Sequence, residues 1–333
     1  MSPSAAPLPS LEVLEEAHAR VAPSVFRTPL VQLPLQGASD VFAKAENLQR
    51  TGSFKIRGAS NFLARMTPEA RTRGVVAHSS GNHAQGVACA AHAFGIPATI
   101  VIPEGAAQVK VARTLAWGAE VVRCENTAAD REGTAARIAG ERGATVVPPF
   151  DHPWIIEGQA GVGLELLDDL PDVANVLVCV GGGGLLAGVV SALRARGSRA
   201  QVIGVEPALA ADAGASYAAG EIVTWPAEDV NRTVADGVRT QALGHHTFAI
   251  IRSAVDAFVS VEEEAIMDAA TWLVREGHLV VEPTGALALA AYRSLVRGVG
   301  PVALRRGSTA LIVSGGNVDA RVLTALLQRE LPR

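Results

Sequence analysis

One lysine, Lys55, stands in a run of small residues, Thr51-Gly52-Ser53-Phe54-Lys55-Ile56-Arg57-Gly58, with an aromatic directly before it. A lysine that is to react with a carbonyl must be deprotonated and held still, and a dry pocket near other positive groups meets both needs. The small neighbours Gly52, Ser53, Gly58 and Ala59 let a flat molecule approach the backbone, and Phe54 can cover one of its faces. Taken alone, the octet reads first as the start of a helix. Its meaning depends on the polar motifs farther along the chain.

Four such motifs each follow a short apolar run that predicts a strand. His78-Ser79-Ser80-Gly81-Asn82-His83 follows 75–77, and Gly181-Gly182-Gly183-Gly184-Leu185-Leu186-Ala187-Gly188 follows 176–180. Glu206-Pro207 follows 201–205, and Ser314-Gly315-Gly316-Asn317 follows 310–313. In open parallel sheets ligands bind beyond the carboxyl ends of the strands, where helix N-termini also point. Four motifs at four strand ends therefore predict one shared cleft. Without Cβ atoms, the four glycines can turn successive backbone N–H groups toward one anion, which makes them a natural phosphate cradle. Two other readings stay open here. The run could be a tight strand-to-helix turn. It could also be a dinucleotide site, because Gly182, Gly184 and Ala187 fit G-x-G-x-x-A and Glu206 ends the next strand, where a ribose-binding acid would sit.

The elements that must position these motifs alternate. Ser10 caps a helix that Pro23 ends, and 41–45 reads as a strand. From 75 to 148, strands at 75–77, 98–102, 120–123 and 144–147 alternate with helices at 82–94, 107–117 and 128–142. Residues 155–330 repeat the style at larger scale, with strands at 176–180, 201–205, 258–261 and 310–313, and a more irregular stretch from 225 to 247. The pattern predicts an α/β protein with two open parallel-sheet domains and an active site in the cleft between them. Residues 1–65 and 148–333 would form the large domain and 66–147 a small mobile one. With 333 residues there is length for both. A net charge of −4 gives no reason to expect nucleic acid or an acidic membrane as partner. No apolar run reaches the roughly 20 residues of a membrane span, and the start MSPSAAPLPS lacks the basic and apolar regions of a signal peptide. The three scattered cysteines, Cys89, Cys124 and Cys179, fit a reducing compartment and a cytoplasmic protein.

Taken in order, TGSFKIRGA, SSGNHAQGVA, GGGGLLAG, VEP, ADGV, EPTGA and SGGN resemble the fold type II pyridoxal-phosphate enzymes, in the threonine/serine dehydratase and serine racemase branch. The resemblance runs from about residue 25 to 320. It implies that Lys55 is joined covalently to the aldehyde of pyridoxal 5'-phosphate, with Phe54 against the ring and Asn82 on the ring hydroxyl. Gly181, Gly182, Gly183 and Gly184 would hold the phosphate, and Ser314 would meet the pyridine nitrogen. A serine there, unlike a carboxylate, leaves the ring a weaker electron sink, which suits β-elimination. The implied activity is dehydration and deamination of a hydroxy amino acid such as threonine, serine or 3-hydroxyaspartate to a 2-oxo acid and ammonia. Lys55 would take the Cα proton.

The resemblance assigns further residues. Ser79, Ser80, Gly81 and His83 would grip the substrate carboxylate. Ser80 would also act as a catalytic acid on the opposite face of Cα, which leaves amino-acid racemisation as an alternative activity. Arg131 would contact a second acidic group on the substrate. Glu206, Ala210 and Asp212 would hold a divalent cation, Mg²⁺ or Ca²⁺, because two carboxylates and a carbonyl are hard oxygen ligands. A homodimer is implied, and a C-terminal regulatory domain is not expected. Departures are Gly158-Gln159-Ala160-Gly161 for the usual Gly-Gln-Gly-Thr, Phe150 where serine racemases have asparagine, and Glu157 for a common alanine.

A β-replacing enzyme would show a different lysine motif, and Phe54, Ile56 and His83 argue against it. A nicotinamide-dependent dehydrogenase leaves the lysine stretch and both serine-glycine-asparagine loops unexplained. Neither His245-His246 nor the His78 and His83 pair has convincing zinc spacing. Glu282-Pro283-Thr284-Gly285-Ala286 reads as a strand end entering a helix, and Glu262-Glu263-Glu264 as an acidic first turn.

Overall fold

The computed structural model describes residues 8–35, 40–79, 81–106 and 108–330. The chain opens with α1 (Leu11–Val21), capped by Ser10, whose Oγ accepts the Val13 N–H at 3.4 Å. β1 (Leu30–Gln32) and β2 (Val41–Ala45) follow. α2 (Lys55–Ala64) begins on the lysine itself, and α3 (Pro68–Arg73) leads away from it. Then β3 (Val75–His78), α4 (Asn82–Phe94), β4 (Ala98–Pro103), α5 (Gln108–Ala116), β5 (Glu120–Cys124), α6 (Ala128–Arg142) and β6 (Thr145–Val146) alternate. Two helices, α7 (Pro153–Gln159) and α8 (Gly161–Asp169), lead to β7 (Asn175–Cys179), α9 (Gly184–Ala195) and β8 (Gln201–Pro207). After α10 (Asp212–Ala219), α11 (Ala227–Val230) and α12 (His245–Ala254), the chain closes with β9 (Ala257–Val261), α13 (Glu263–Arg275), α14 (Pro283–Val296), β10 (Thr309–Val313) and α15 (Ala320–Gln328).

The strands form two sheets. One has six strands in the order β1-β2-β10-β7-β8-β9, and the other four in the order β5-β4-β3-β6. All pairs are parallel except β1 with β2, where Leu30 faces Lys44 and Gln32 faces Phe42. The chain leaves the six-stranded sheet after β2, builds the smaller one, and returns at β7. Parallel strands covered by helices on both faces read as continuous apolar runs. Val176–Val178, Val202–Val205 and Ala310–Val313 are accordingly buried along their length.

The parallel α/β expectation matches this architecture, with local differences. β1 is not visible in the sequence pattern, because three residues are too few to show alternation. The strand expected over 144–147 shrinks to the pair Thr145–Val146 at a sheet edge. Glu282 does not end a strand. It is the N-cap residue of α14, reached through a loop. Glu262 is likewise the N-cap of α13, with Glu263 and Glu264 in its first turn.

A wholly buried set of charges ties α2 to the large sheet. The Arg57 guanidinium donates to both oxygens of Glu46 at 2.8 Å and to Glu165 at 2.7 and 2.9 Å. Lys44 Nζ donates to Glu165 Oε2 and to the Thr28 carbonyl, each at 2.6 Å. Burial opposes the charge on Arg57, but Glu46 and Glu165 outweigh it and raise its pKa. Two cations and two carboxylates balance, so desolvation is compensated as long as every member is present.

Candidate active site

The lysine stretch is held by the Ser314 loop. Ser53 bridges Gly315, the Phe54 N–H donates to the Ser314 carbonyl at 3.2 Å, and the Gly316 N–H donates to the Gly52 carbonyl at 2.8 Å. Residues more than 250 positions apart in sequence are thereby fixed side by side. Lys55 is partly exposed as a residue, but its amine is enclosed by protein, and that burial lowers its pKa to about 8. The amine donates to the Pro149 carbonyl at 2.8 Å and lies 5.3 Å from the centre of the Phe54 ring. Desolvation of an ammonium is the way a lysine becomes a neutral nucleophile and base near neutral pH.

Next to Pro149, the Phe150 ring packs on the glycine loop. A Cβ on Gly182 would come within 2.4 Å of that ring. Gly183 has φ +90°, which favours glycine, and a Cβ there would meet Ile251, Leu243 and Thr247 within 2.9 Å. α9 starts at Gly184 with no side-chain cap, so its first N–H groups are open to an anion. Thr240 Oγ1 lies beside Gly181, 3.2 Å from where a Cβ would be, and is buried with no hydrogen-bond partner among the described residues.

Ser314 is 2% exposed, and its Oγ also lacks a hydrogen-bond partner among the described residues. Its polar neighbour is the Cys179 thiol, which burial pushes up to about 11, so the hydroxyl has only a weak sulfur acceptor nearby. Asn82, the first residue of α4, donates from Nδ2 to Glu282 Oε1 at 2.7 Å. Its Oδ1 accepts from Asn317 Nδ2 at 2.8 Å, and Asn317 Oδ1 in turn accepts from Arg113 at 2.9 Å. The Asn82 amide is thus oriented by its neighbours, with its second N–H unassigned.

The α4 loop has Ser79 Oγ accepting the Gly81 N–H at 3.1 Å, and a Cβ at Gly81 would meet open space. Ser80, expected to be catalytic, lies outside the described residues. His83 sits behind the loop: its ring is 5% exposed and Nε2 donates to the Val147 carbonyl at 3.0 Å. Burial, with the Lys55 charge nearby, lowers its pKa to about 3, so it is neutral. Arg131 is half-buried on α6, close enough to His78 to influence its charge.

Glu206 and Asp212 form a separate cluster at the end of β8. Glu206 accepts the Ala213 and Gly214 N–H groups at 3.1 and 2.9 Å, so both its oxygens face the start of α10. That geometry removes the ribose-binding role the dinucleotide reading requires. Burial, then the charge of Asp212, raises Glu206 to about 8, and burial raises Asp212 to about 7. Asp212 Oδ2 is buried without a partner among the described residues. Among the described residues, no group of three or more His, Cys, Asp or Glu side chains could hold a metal. A cation on this pair would need a carbonyl such as that of Ala210 as well.

Three groups were not singled out from sequence: Asp151, which precedes α7 and caps the start of α12, Thr247 on α12, which contacts the glycine loop, and the Pro149 carbonyl. The first two carry no motif. The third is a backbone atom and has no sequence signal at all.

A buried amine of lowered pKa, an anion cradle closed to side chains and an orphaned serine hydroxyl fit a phosphorylated pyridine aldehyde. Comparison with known proteins points the same way. Residues 21–315 match the family described as pyridoxal-phosphate dependent enzyme. The chain is 42% identical over 322 residues to an L-threonine ammonia-lyase of Geobacter sulfurreducens, covering 96% of this chain and 78% of that protein. It is 42% identical over 305 residues to an L-threo-3-hydroxyaspartate ammonia-lyase of a Pseudomonas species, covering 91% and 93%. The structure of maize serine racemase superposes with a TM-score of 0.90 at 38% identity, covering 96% of this chain and 97% of that one. Matched along most of its length, the chain belongs to the pyridoxal-phosphate dependent enzyme family and has its type II fold.

Proposed function

We propose that the protein is an ammonia-lyase that dehydrates and deaminates a hydroxy amino acid, among them threonine, serine and 3-hydroxyaspartate, to a 2-oxo acid and ammonia. The observation that carries this is the pairing of a desolvated Lys55 amine with a neutral hydroxyl, Ser314, in place of a carboxylate. When bound, pyridoxal phosphate supplies the electron sink that makes the substrate Cα proton acidic. Lys55 Nζ, neutral in a substantial fraction at its lowered pKa, moves that proton. Ser314 Oγ, buried and without a partner among the described residues, would meet the ring nitrogen without imposing a charge. The Gly181–Gly184 loop and the start of α9 would hold the phosphate, and Phe54 and Asn82 would orient the ring.

Ser79, Gly81 and the open N-terminus of α4, which has no side-chain cap, suit the substrate carboxylate. His83 would serve from behind, holding the loop through Val147. Arg131 on α6 suits a second acidic group, as in 3-hydroxyaspartate. A divalent cation at Glu206, Asp212 and the Ala210 carbonyl is supported by two buried carboxylates whose proton affinity burial raises, Glu206 further raised by the charge of Asp212. The division into a large domain (1–65 and 148–333) and a small one (66–147) is supported by the two separate sheets. A homodimer is supported by Phe26, Leu48 and Val280, all about half exposed. A cytoplasmic location is supported by three unpaired, buried cysteines.

The similarity to maize serine racemase carries a second reading, racemisation, in which Ser80 protonates Cα. Release of 2-oxo acid from L- and D-serine, the threonines and the hydroxyaspartates tests the first. No release from any of them overturns it. Ser80→Ala tests the second: interconversion of enantiomers should vanish while dehydration continues, and unchanged interconversion excludes Ser80.

A further inference from the structure

The Gly182 carbonyl is turned toward α12, where it accepts the Thr247 hydroxyl at 2.7 Å and faces the Gly244 N–H at 3.5 Å. The peptide that follows is trans, as there are no cis bonds among the described residues. In a trans peptide the carbonyl and the next N–H point in opposite directions. The Gly183 N–H is therefore turned away from α12, while Phe150, which packs on Gly182 and Gly184, is one residue from the carbonyl that holds the Lys55 amine.

Thr247 cannot easily move. It is wholly buried, and the start of α12 is gripped by the Asp151 carboxylate, which accepts the N–H groups of His245, His246 and Thr247 at 2.9, 2.8 and 3.2 Å. Its hydroxyl accepts the Gly244 N–H at 3.0 Å and so directs its own proton elsewhere. The Gly182 carbonyl is nearer than the Gly244 carbonyl, at 2.7 against 3.1 Å.

We propose that Thr247 is a positioning residue for the cofactor phosphate: its hydroxyl, set by the Asp151-capped α12, locks the Gly182–Gly183 peptide with its N–H presented to the phosphate. The inference rests on the assignment of Gly181–Gly184 as the phosphate cradle.

The test compares covalent capture of pyridoxal phosphate and of pyridoxal by the apoprotein, followed by absorbance. Thr247→Val removes the hydroxyl at nearly constant volume. It should weaken pyridoxal phosphate by about tenfold or more and leave pyridoxal within about twofold. Thr247→Ser keeps the hydroxyl and should stay within about threefold of wild type for both. An equal loss for both ligands in Thr247→Val, or no loss for either, overturns the proposal. If that variant does not fold, Thr247→Ala against Thr247→Ser gives the same comparison. A wild-type apoprotein that captures both ligands equally well would instead remove the phosphate-cradle assignment itself.

Discussion

At the scale of the residue, Lys55 carries the account through its local dielectric. Burial lowers its pKa to about 8, with only the Cys179 thiol acting in the other direction. Covalent capture of an aldehyde needs the neutral amine. The rate at which apoprotein captures pyridoxal should therefore rise with pH and level off above about pH 8. A midpoint near the free-lysine value of about 10.4 would show that the amine is solvated. The side chains proposed for the chemistry stand out in the sequence because each sits in a short run of small residues, most of them at a strand end and Lys55 at the start of α2. What they touch does not. Nothing in the sequence shows that His83 turns inward to Val147, or that the Pro149 carbonyl holds the Lys55 amine. Both are contacts between segments far apart in the chain.

At the scale of the element, two buried polar clusters make opposite demands. The Arg57 network anchors α2, the helix that starts at Lys55. Its charges balance, so removing one partner strands the others. Glu165→Ala should cost about 3–5 kcal/mol, read as a lowered midpoint in thermal or urea unfolding. An unchanged midpoint would mean that water or another anion replaces the carboxylate. Arg57 sits in the most recognisable motif of the chain, yet its partner Glu165 lies in α8 between the apolar residues Leu164 and Leu166. Sequence alone offers no link between them.

The Glu206–Asp212 pair is uncompensated. Its folded pKa values are raised, from 4.5 to about 8 and from 3.8 to about 7. Groups raised in this way bind more protons folded than unfolded. Their contribution is intact at acid pH and is lost as the pH climbs through the folded values. Metal-free protein should thus lose stability between about pH 5 and pH 8 on account of this pair. Mg²⁺ or Ca²⁺ should restore it at the upper end, and Glu206→Gln should flatten the pH dependence. Melting curves indifferent to both cations at pH 8 would count against a cation site.

At the scale of the whole molecule, the two sheets meet at the site. Arg113 on α5, beside the four-stranded sheet, donates to Asn317, next to the Ser314 loop of the six-stranded one. Asn317 passes the contact on to Asn82. This exposed link is worth little to stability. Its value lies in how the sheets approach each other around a substrate. Arg113→Ala should lower kcat/KM by a few-fold and leave capture of pyridoxal phosphate unchanged. Weakened capture would place its role in the cofactor site instead. The alternation of strands and helices was legible because parallel strands are continuous apolar runs. The edge strand β1 was not, since a three-residue antiparallel pairing depends on its partner rather than on its own pattern.

The central claim is that Lys55 is the residue joined to the cofactor. Borohydride reduction of the yellow holoenzyme, followed by peptide mass mapping, tests it most directly. The account predicts loss of colour and a cofactor-sized mass increment on the peptide containing Lys55. An increment on Lys44 or Lys110, or none on a colourless protein, would contradict it.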